Sequence, residues 1–310
     1  MLLTYAISLL TDRILVINVT VPCKLSNFLI PNEIKWLQDI PNLNNLSKLI
    51  VPINWKGKII DSGFSKINFL NYTQDVIIIK TGMQLIKHLT INKNHQIKLK
   101  QLGFKIADFN IENLIYNWYK KLFKFNDNLE KRYFKLNKEL KPSVNTKLIC
   151  AQIRIGNEFG IPFMKRQETK KFWNFIQNQF INKNKEYKLF ITSDHSDVID
   201  EAFSVFNNTD KLIAFKENSF HITLFDHKKK KCAQVADLLF DFNILGGFCD
   251  MGVVSHSGFG MIGILNRKDQ NDLNNFYVYT NPTNLKSEYW NRNSLDFVQY
   301  NNSLLYLEFN

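Results

Sequence analysis

The sequence predicts an α/β protein built from two Rossmann-like halves, and three observations carry that expectation. The chain has 310 residues, about twice an ordinary domain. It is 45% hydrophobic and 14% aromatic, enough to fill sizeable cores, and its 12 Gly and 7 Pro exclude collagenous or low-complexity architecture. From Lys147 onward, short and nearly continuous apolar runs alternate with helix-period segments, the pattern of parallel strands covered on both faces.

In chain order, MLLTYAISLLTD (Met1 to Asp12) places apolar residues at helical spacing and runs into RILVIN (Arg13 to Asn18), a short buried-strand pattern. A chain opening in mid-helix is expected to lack a preceding strand and turn. KLIVPIN (Lys48 to Asn54) and DVIIIK (Asp75 to Lys80) read as strands, and Gly82 to about Leu140 as mostly helix, ending at Pro142. The domains are therefore expected at residues 1–141 and 142–310. In the second, strands KLICAQIR (Lys147 to Arg154), KLFITS (Lys188 to Ser193), KLIAF (Lys211 to Phe215), MGVVSHS (Met251 to Ser257) and, last, NFYVYT (Asn275 to Thr280) alternate with four helices. These helices are RQETKKFWNFIQNQFI, DVIDEAFSVF, CAQVADLLFDFNIL and FGMIGILN.

The net charge of +12 first suggests an anionic partner. Only six of the 40 basic residues are Arg (Arg13, Arg132, Arg154, Arg166, Arg267, Arg292), and the chain holds 38 Asn. So much Lys and Asn reads as composition drift on a solvated surface, and no basic run is interleaved with stacking aromatics as a nucleic-acid binder requires. The densest run, Lys228 to Lys231, reads as the exposed lead-in to a helix. Four cysteines (Cys23, Cys150, Cys232, Cys249) form no CxxC pair, which argues against a zinc module and leaves one or two disulfides open. The sequons at Asn18, Asn45, Asn71, Asn207 and Asn301 are about as many as this Asn content gives by chance. No run approaches the ~20 apolar residues of a membrane span.

Ligands of doubly wound sheets sit beyond the carboxyl ends of the strands. Three such ends carry chemistry: QIRIGNE (Gln152 to Glu158), TSDHSD (Thr192 to Asp197) and SHSGFG (Ser255 to Gly260). Arg154 is the sharpest candidate, because in a chain that otherwise uses Lys a guanidinium suggests need of a planar fork, for a phosphate or for a neighbouring carboxylate. In SHSGFG, Gly258 and Gly260 let backbone N–H groups approach an anion at a helix start. The same stretch is not GxSxG, and neither a P-loop nor GxGxxG is present, so hydrolase and dinucleotide readings fall. His221, Asp226 and His227 in HITLFDHKKKK read as solvated loop residues rather than metal ligands.

Taken together, the three strand ends resemble the C-terminal motifs of the fucosyltransferase superfamily with GT-B architecture, which includes protein O-fucosyltransferases, α1,6-fucosyltransferases and xyloglucan fucosyltransferases. The first motif, HxRxG(S/T)D or QxR in the xyloglucan enzymes, is similar to Gln152-Ile153-Arg154-Ile155-Gly156-Asn157-Glu158. The second resembles Leu189-Phe190-Ile191-Thr192-Ser193-Asp194. The third, a DxxxLG helix followed by an Asp and a strand ending in S-(S/T)-F, resembles Asp241 to Gly246, then Asp250, then Ser257-Gly258-Phe259-Gly260. YAISLLTDRILVIN and NFLIPNEIKWL are similar to the stretches that follow the family's first Gly-rich loop, so the likeness runs in order along nearly the whole chain.

The resemblance implies a GT-B-like fold, two Rossmann-like domains facing a cleft, with GDP-fucose on the C-terminal one and a glycan or glycoprotein acceptor on the N-terminal one. Transfer would invert the anomeric centre, with no metal and no cofactor beyond the donor. Arg154 would be the catalytic cation at the β-phosphate. Gln152, Glu158, Ser193, Asp194, Ser257, Gly258 and Phe259 would line the donor site, and Asp241, or Asp237 one turn earlier, would accept from guanine. No general base is singled out by spacing among acidic residues such as Glu33 or Asp61. The Gly-rich loop would precede Tyr5 and is expected to be missing, which keeps a second reading open, a member that binds a nucleotide or glycan without turnover. Family likeness implies the Golgi or endoplasmic reticulum lumen; the sequence itself shows no signal or anchor, which leaves the cytoplasm open.

Overall fold

The computed structural model describes residues 1–20, 23–53, 66–81, 86–104, 111–156, 164, 166–207, 210–215, 232–255, 257–269, 271–279 and 297–299. Contacts divide the chain into two compact units. The first holds Met1–Val19 and Leu29–Lys124, the second Thr20–Phe28 and Phe125–Glu308. The division thus falls at Lys124, not at Pro142, and the helix before that proline belongs with the second unit.

In the first unit, helix α1 (Leu2–Leu10) buries Leu3, Ala6, Ile7 and Leu10, the stripe its 3.6-residue period aligns. Strand β1 (Leu29–Pro31) pairs with β4 (Phe123–Phe125), and β2 (Lys48–Ile53) pairs in parallel with β3 (Val76–Thr81). Helices α2 (Ile86–Ile91), α3 (Gln96–Gln101) and α4 (Ile111–Leu122) follow, so the stretch expected to be helical is interrupted by β4. RILVIN is no strand. Leu15 and Ile17 are buried, but the segment joins no ladder, and Ile17 N donates to Trp36 O instead.

The second unit opens with α5 (Asp127–Leu140), whose N-cap Asn126 accepts from Leu129 N and whose first turn carries Asp127 and Glu130. It ends where Pro142 disfavours helical backbone at the residue before it. The sheet has the order β10-β9-β8-β5-β6-β7, made by β5 (Lys147–Ile153), β6 (Tyr187–Ser193), β7 (Leu212–Ala214), β8 (Met251–Ser255), β9 (Phe276–Tyr279) and β10 (Phe297–Gln299). All neighbours are parallel except β10, an antiparallel edge strand beyond the run expected to be last.

Helices α6 (Thr169–Gln179), α7 (Ser196–Phe206), α8 (Cys232–Gly247) and α9 (Gly258–Leu265) are the four the sequence predicts. Ile149, Ala151 and Ile153 of β5 pack into a core with Phe172, Trp173 and Ile176 of α6, while Leu148 and Cys150 at the alternate positions are buried as well, so both faces of β5 are covered. Both disulfides left open by the sequence form, Cys23 with Cys232 and Cys150 with Cys249, and both lie in this unit. Among the described residues no helix is long and apolar enough to cross a membrane.

Candidate functional site

From β5 the chain moves outward through β6 and β7, then returns to lay β8 and β9 on the other side of β5. Connections leaving adjacent strands in opposite directions open a crevice at their carboxyl ends, the place where doubly wound sheets bind ligands. Here those adjacent strands are β5 and β8, and their ends are QIR and SHSGFG.

Gln152 is 4% exposed, and its Oε1 accepts from Ser255 Oγ at 3.1 Å and from Ser257 Oγ at 3.0 Å. Ser255 Oγ in turn accepts from Arg154 N at 2.9 Å, and Ser257 Oγ caps α9 by accepting from Gly260 N at 3.3 Å. A Cβ at Gly260 would stand 2.2 Å from Gln152 Oε1, so the glycine is there for close approach. Gly258 is exposed, with nothing among the described residues within 4 Å of its Cβ position, and the ring of Phe259 lies 6.1 Å from that of Phe242.

The Arg154 side chain is 13% exposed, and its Nη1 lies 3.6 Å from Asp194 Oδ2. Desolvation lowers the guanidinium's pKa and the Asp194 carboxylate opposes that shift. The carboxylate partner that the sequence offers as one reading of this arginine is thus Asp194. Ser193 Oγ accepts from His195 N at 3.2 Å, and Asp194 accepts from Ile155 N and Gly156 N.

On α8, Asp241 Oδ2 accepts from Thr192 Oγ1 at 2.6 Å, and among the described residues its Oδ1 has no hydrogen-bond partner. Burial pushes this carboxyl up to about 8, with the Thr192 hydrogen bond pulling down and Asp237 pushing further up. Asp237 instead pairs with Arg132 at 3.2 Å, so the two aspartates that the sequence leaves as alternatives are separated by partner. Asp250 lies at the opposite end of β8, where it accepts from Leu148 N at 2.7 Å and pairs with Lys141 at 2.8 Å.

The other described arginines hold structure. Arg13 donates to the carbonyls of Tyr72, Gln74 and Asp75, Arg166 pairs with Asp197 and Glu201, and Arg267 donates to Ile264, Leu245 and Cys249 carbonyls. His195 is the residue at this edge that sequence reasoning passed over. Its position directly after a strand end was the available signal. In the first unit, Glu33 is exposed and borders a groove of about 390 Å³ with Tyr5, Asp12, Arg13, Lys35 and Gln38. Glu158, His256, Asp61, His221, Asp226, His227 and the run Lys228 to Lys231 lie outside the described residues.

No protein-family model matches the sequence, and no curated protein matches it either. Solved structures do. A mutant of Arabidopsis thaliana FUT1 in complex with GDP aligns with a TM-score of 0.61 at 14% identity, over 91% of this chain and 66% of that one. NodZ α-1,6-fucosyltransferase, an enzyme from Bradyrhizobium, soaked with GDP-fucose aligns with a TM-score of 0.52 at 14% identity, over 95% of this chain and 91% of that one. The chain has the GT-B fold of these fucosyltransferases. The chain spans 66% of the Arabidopsis protein's length. Within this fucosyltransferase-like fold, the interlocked ends of β5, β6 and β8 are the candidate site.

Proposed function

We propose that the protein is a glycosyltransferase that takes fucose from GDP-fucose and transfers it to a glycan or glycoprotein acceptor. One observation carries the reading: Arg154 and the Ser257-capped start of α9 stand side by side at the switch point between β5 and β8. A largely desolvated guanidinium there suits the β-phosphate, and the first-turn N–H groups of Gly258 and Phe259 suit the same diphosphate. As the bond to fucose breaks, negative charge grows on GDP, and a fixed cation at that oxygen stabilises the transition state more than the ground state. In this reading transfer inverts the anomeric centre without a metal, and Asp241 offers its spare Oδ1 to an N–H of guanine. The acceptor lies on the first unit, where the groove beside Glu33 offers polar lining. Two disulfides with no free cysteine suit an oxidising lumen such as the Golgi or endoplasmic reticulum.

Calorimetry with GDP on wild type and Arg154→Ala tests the donor site. The expected loss is about 10- to 100-fold in affinity, the scale of charge-assisted hydrogen bonds. GDP release from GDP-fucose over a glycan and peptide panel tests transfer. Binding without release would establish the non-catalytic reading, and unchanged affinity in Arg154→Ala would remove the arginine from the site.

A further inference from the structure

We infer that Asp194 and His195 are positioning residues that clamp the turn after β5 and so set the direction of Arg154. This rests on the reading of Arg154 as the donor-site cation. Three consecutive backbone N–H groups of the turn are held by side chains from the two neighbouring strand ends. Arg154 N donates to Ser255 Oγ at 2.9 Å, Ile155 N to Asp194 Oδ1 at 2.9 Å, and Gly156 N to Asp194 Oδ2 at 3.1 Å. The carbonyl of the same glycine is held as well, 2.9 Å from His195 Nε2. A carbonyl only accepts, so the ring hydrogen sits on Nε2.

Gly156 has φ +102°, a conformation that other residues adopt at a cost and that surrounding contacts must keep in place. Here Asp194 grips its N–H and His195 its C=O, so the residue that turns the chain is pinned from both sides. Ser193 steadies the pair by accepting from His195 N. The charges fit the same role. A carboxylate aimed at a diphosphate would repel it, whereas both oxygens of Asp194 are occupied by amides, and Oδ2 also lies 3.6 Å from Arg154 Nη1. Asp194 therefore touches the arginine and its backbone, the contacts a positioning residue needs. Nothing in local periodicity reports such an arrangement, because its partners lie 38 and 39 residues apart in sequence.

The test uses the full chain and two readouts. The first is amide hydrogen exchange at Ile155 and Gly156. Asp194→Asn loses one of the two acceptor oxygens, and His195→Ala loses the carbonyl donor. Each is expected to speed exchange at Gly156 by about 10-fold or more, while thermal melting confirms that the variants remain folded. The second is GDP affinity in a double-mutant cycle. Asp194→Asn is expected to weaken GDP about 10-fold in the wild-type background and less than about 2-fold when Arg154 is already Ala, because a positioning residue has nothing left to position. His195→Gln keeps an N–H donor and is expected to recover most of the affinity that His195→Ala loses. Equal losses in both backgrounds would make Asp194 an independent ligand contact and overturn the inference, as would unchanged exchange at both amides. Failure of the wild type to bind GDP would reject the donor reading, and the exchange data would still decide for or against the clamp.

Discussion

Gln152 and Asp241 are the two polar residues on which the edge of the large sheet turns, and they make opposite demands. Gln152 receives two serine hydroxyls and ties the end of β5 to the end of β8. Gln152→Leu keeps the bulk but strands those hydroxyls in a buried place, so it should lower unfolding stability by about 1–3 kcal/mol in urea melts. A change within a few tenths of a kcal/mol would deny Gln152 this joining role. Asp241 is costly to ionise where it stands, its carboxyl held up to about 8 by burial first. An aspartate in the unfolded chain titrates near ~4. Between about pH 4 and pH 8 the folded protein therefore binds a proton that the unfolded chain does not, and stability falls as pH rises through that window. Asp241→Asn, which is neutral at every pH, should remove this slope. Its Tm should rise relative to wild type between pH 5 and pH 8 by the equivalent of at least ~1 kcal/mol, about 2–4 °C. Parallel Tm curves for the two proteins would show that Asp241 is ionised across the range.

Strand ends and helix starts fit together here through glycines with little room. A Cβ at Gly246 in α8 would lie 2.2 Å from the backbone carbonyl oxygen of Asn266, just after α9, and one at Gly260 would lie 2.2 Å from the side-chain oxygen of Gln152. Backbone cannot swing aside as a side chain can. Gly246→Ala should thus cost more than Gly260→Ala, at least ~2 kcal/mol against ~1, measured as urea midpoints at constant slope. The reverse order would mean that the loop after α9 shifts more readily than Gln152. Most elements of the second unit were legible in sequence, since KLICAQI and YKLFITS are buried on both faces and read as nearly unbroken apolar runs. RILVIN reads the same way yet forms no strand, because a run of apolar residues specifies burial and not a hydrogen-bonding neighbour. The edge strand β10 is three residues long, too short for any alternation to register. At the site, strand-end position located Arg154 and Ser257. What sequence could not separate was Asp237 from Asp241, which differ by partner, Arg132 against Thr192, and not by pattern.

At the scale of the whole chain, covalent links matter more than the +12 charge, which 34 lysines spread over the molecule mostly supply. Cys23 and Cys232 are 209 residues apart, Cys150 and Cys249 are 99 apart, and the two loops interleave in sequence. Each bridge removes a large loop's worth of freedom from the unfolded chain, worth about 2–5 kcal/mol by the loop-entropy account. Both lie in the unit that carries the candidate site, and Cys150 is in β5 itself, four residues before Arg154. Reduction should therefore act on stability and on the site together. Denatured protein without reductant should show no reactive thiol, and four after reduction. The reduced protein should melt well below the oxidised one and should bind GDP more weakly at temperatures where it is still folded. Cys150→Ser with Cys249→Ser should reproduce the second effect more strongly than Cys23→Ser with Cys232→Ser, because only the former bridge is anchored in the strand that leads directly into Arg154. Equal GDP affinity in all four proteins, oxidised, reduced and both paired variants, would separate the bridges from the site and leave them a purely stabilising role.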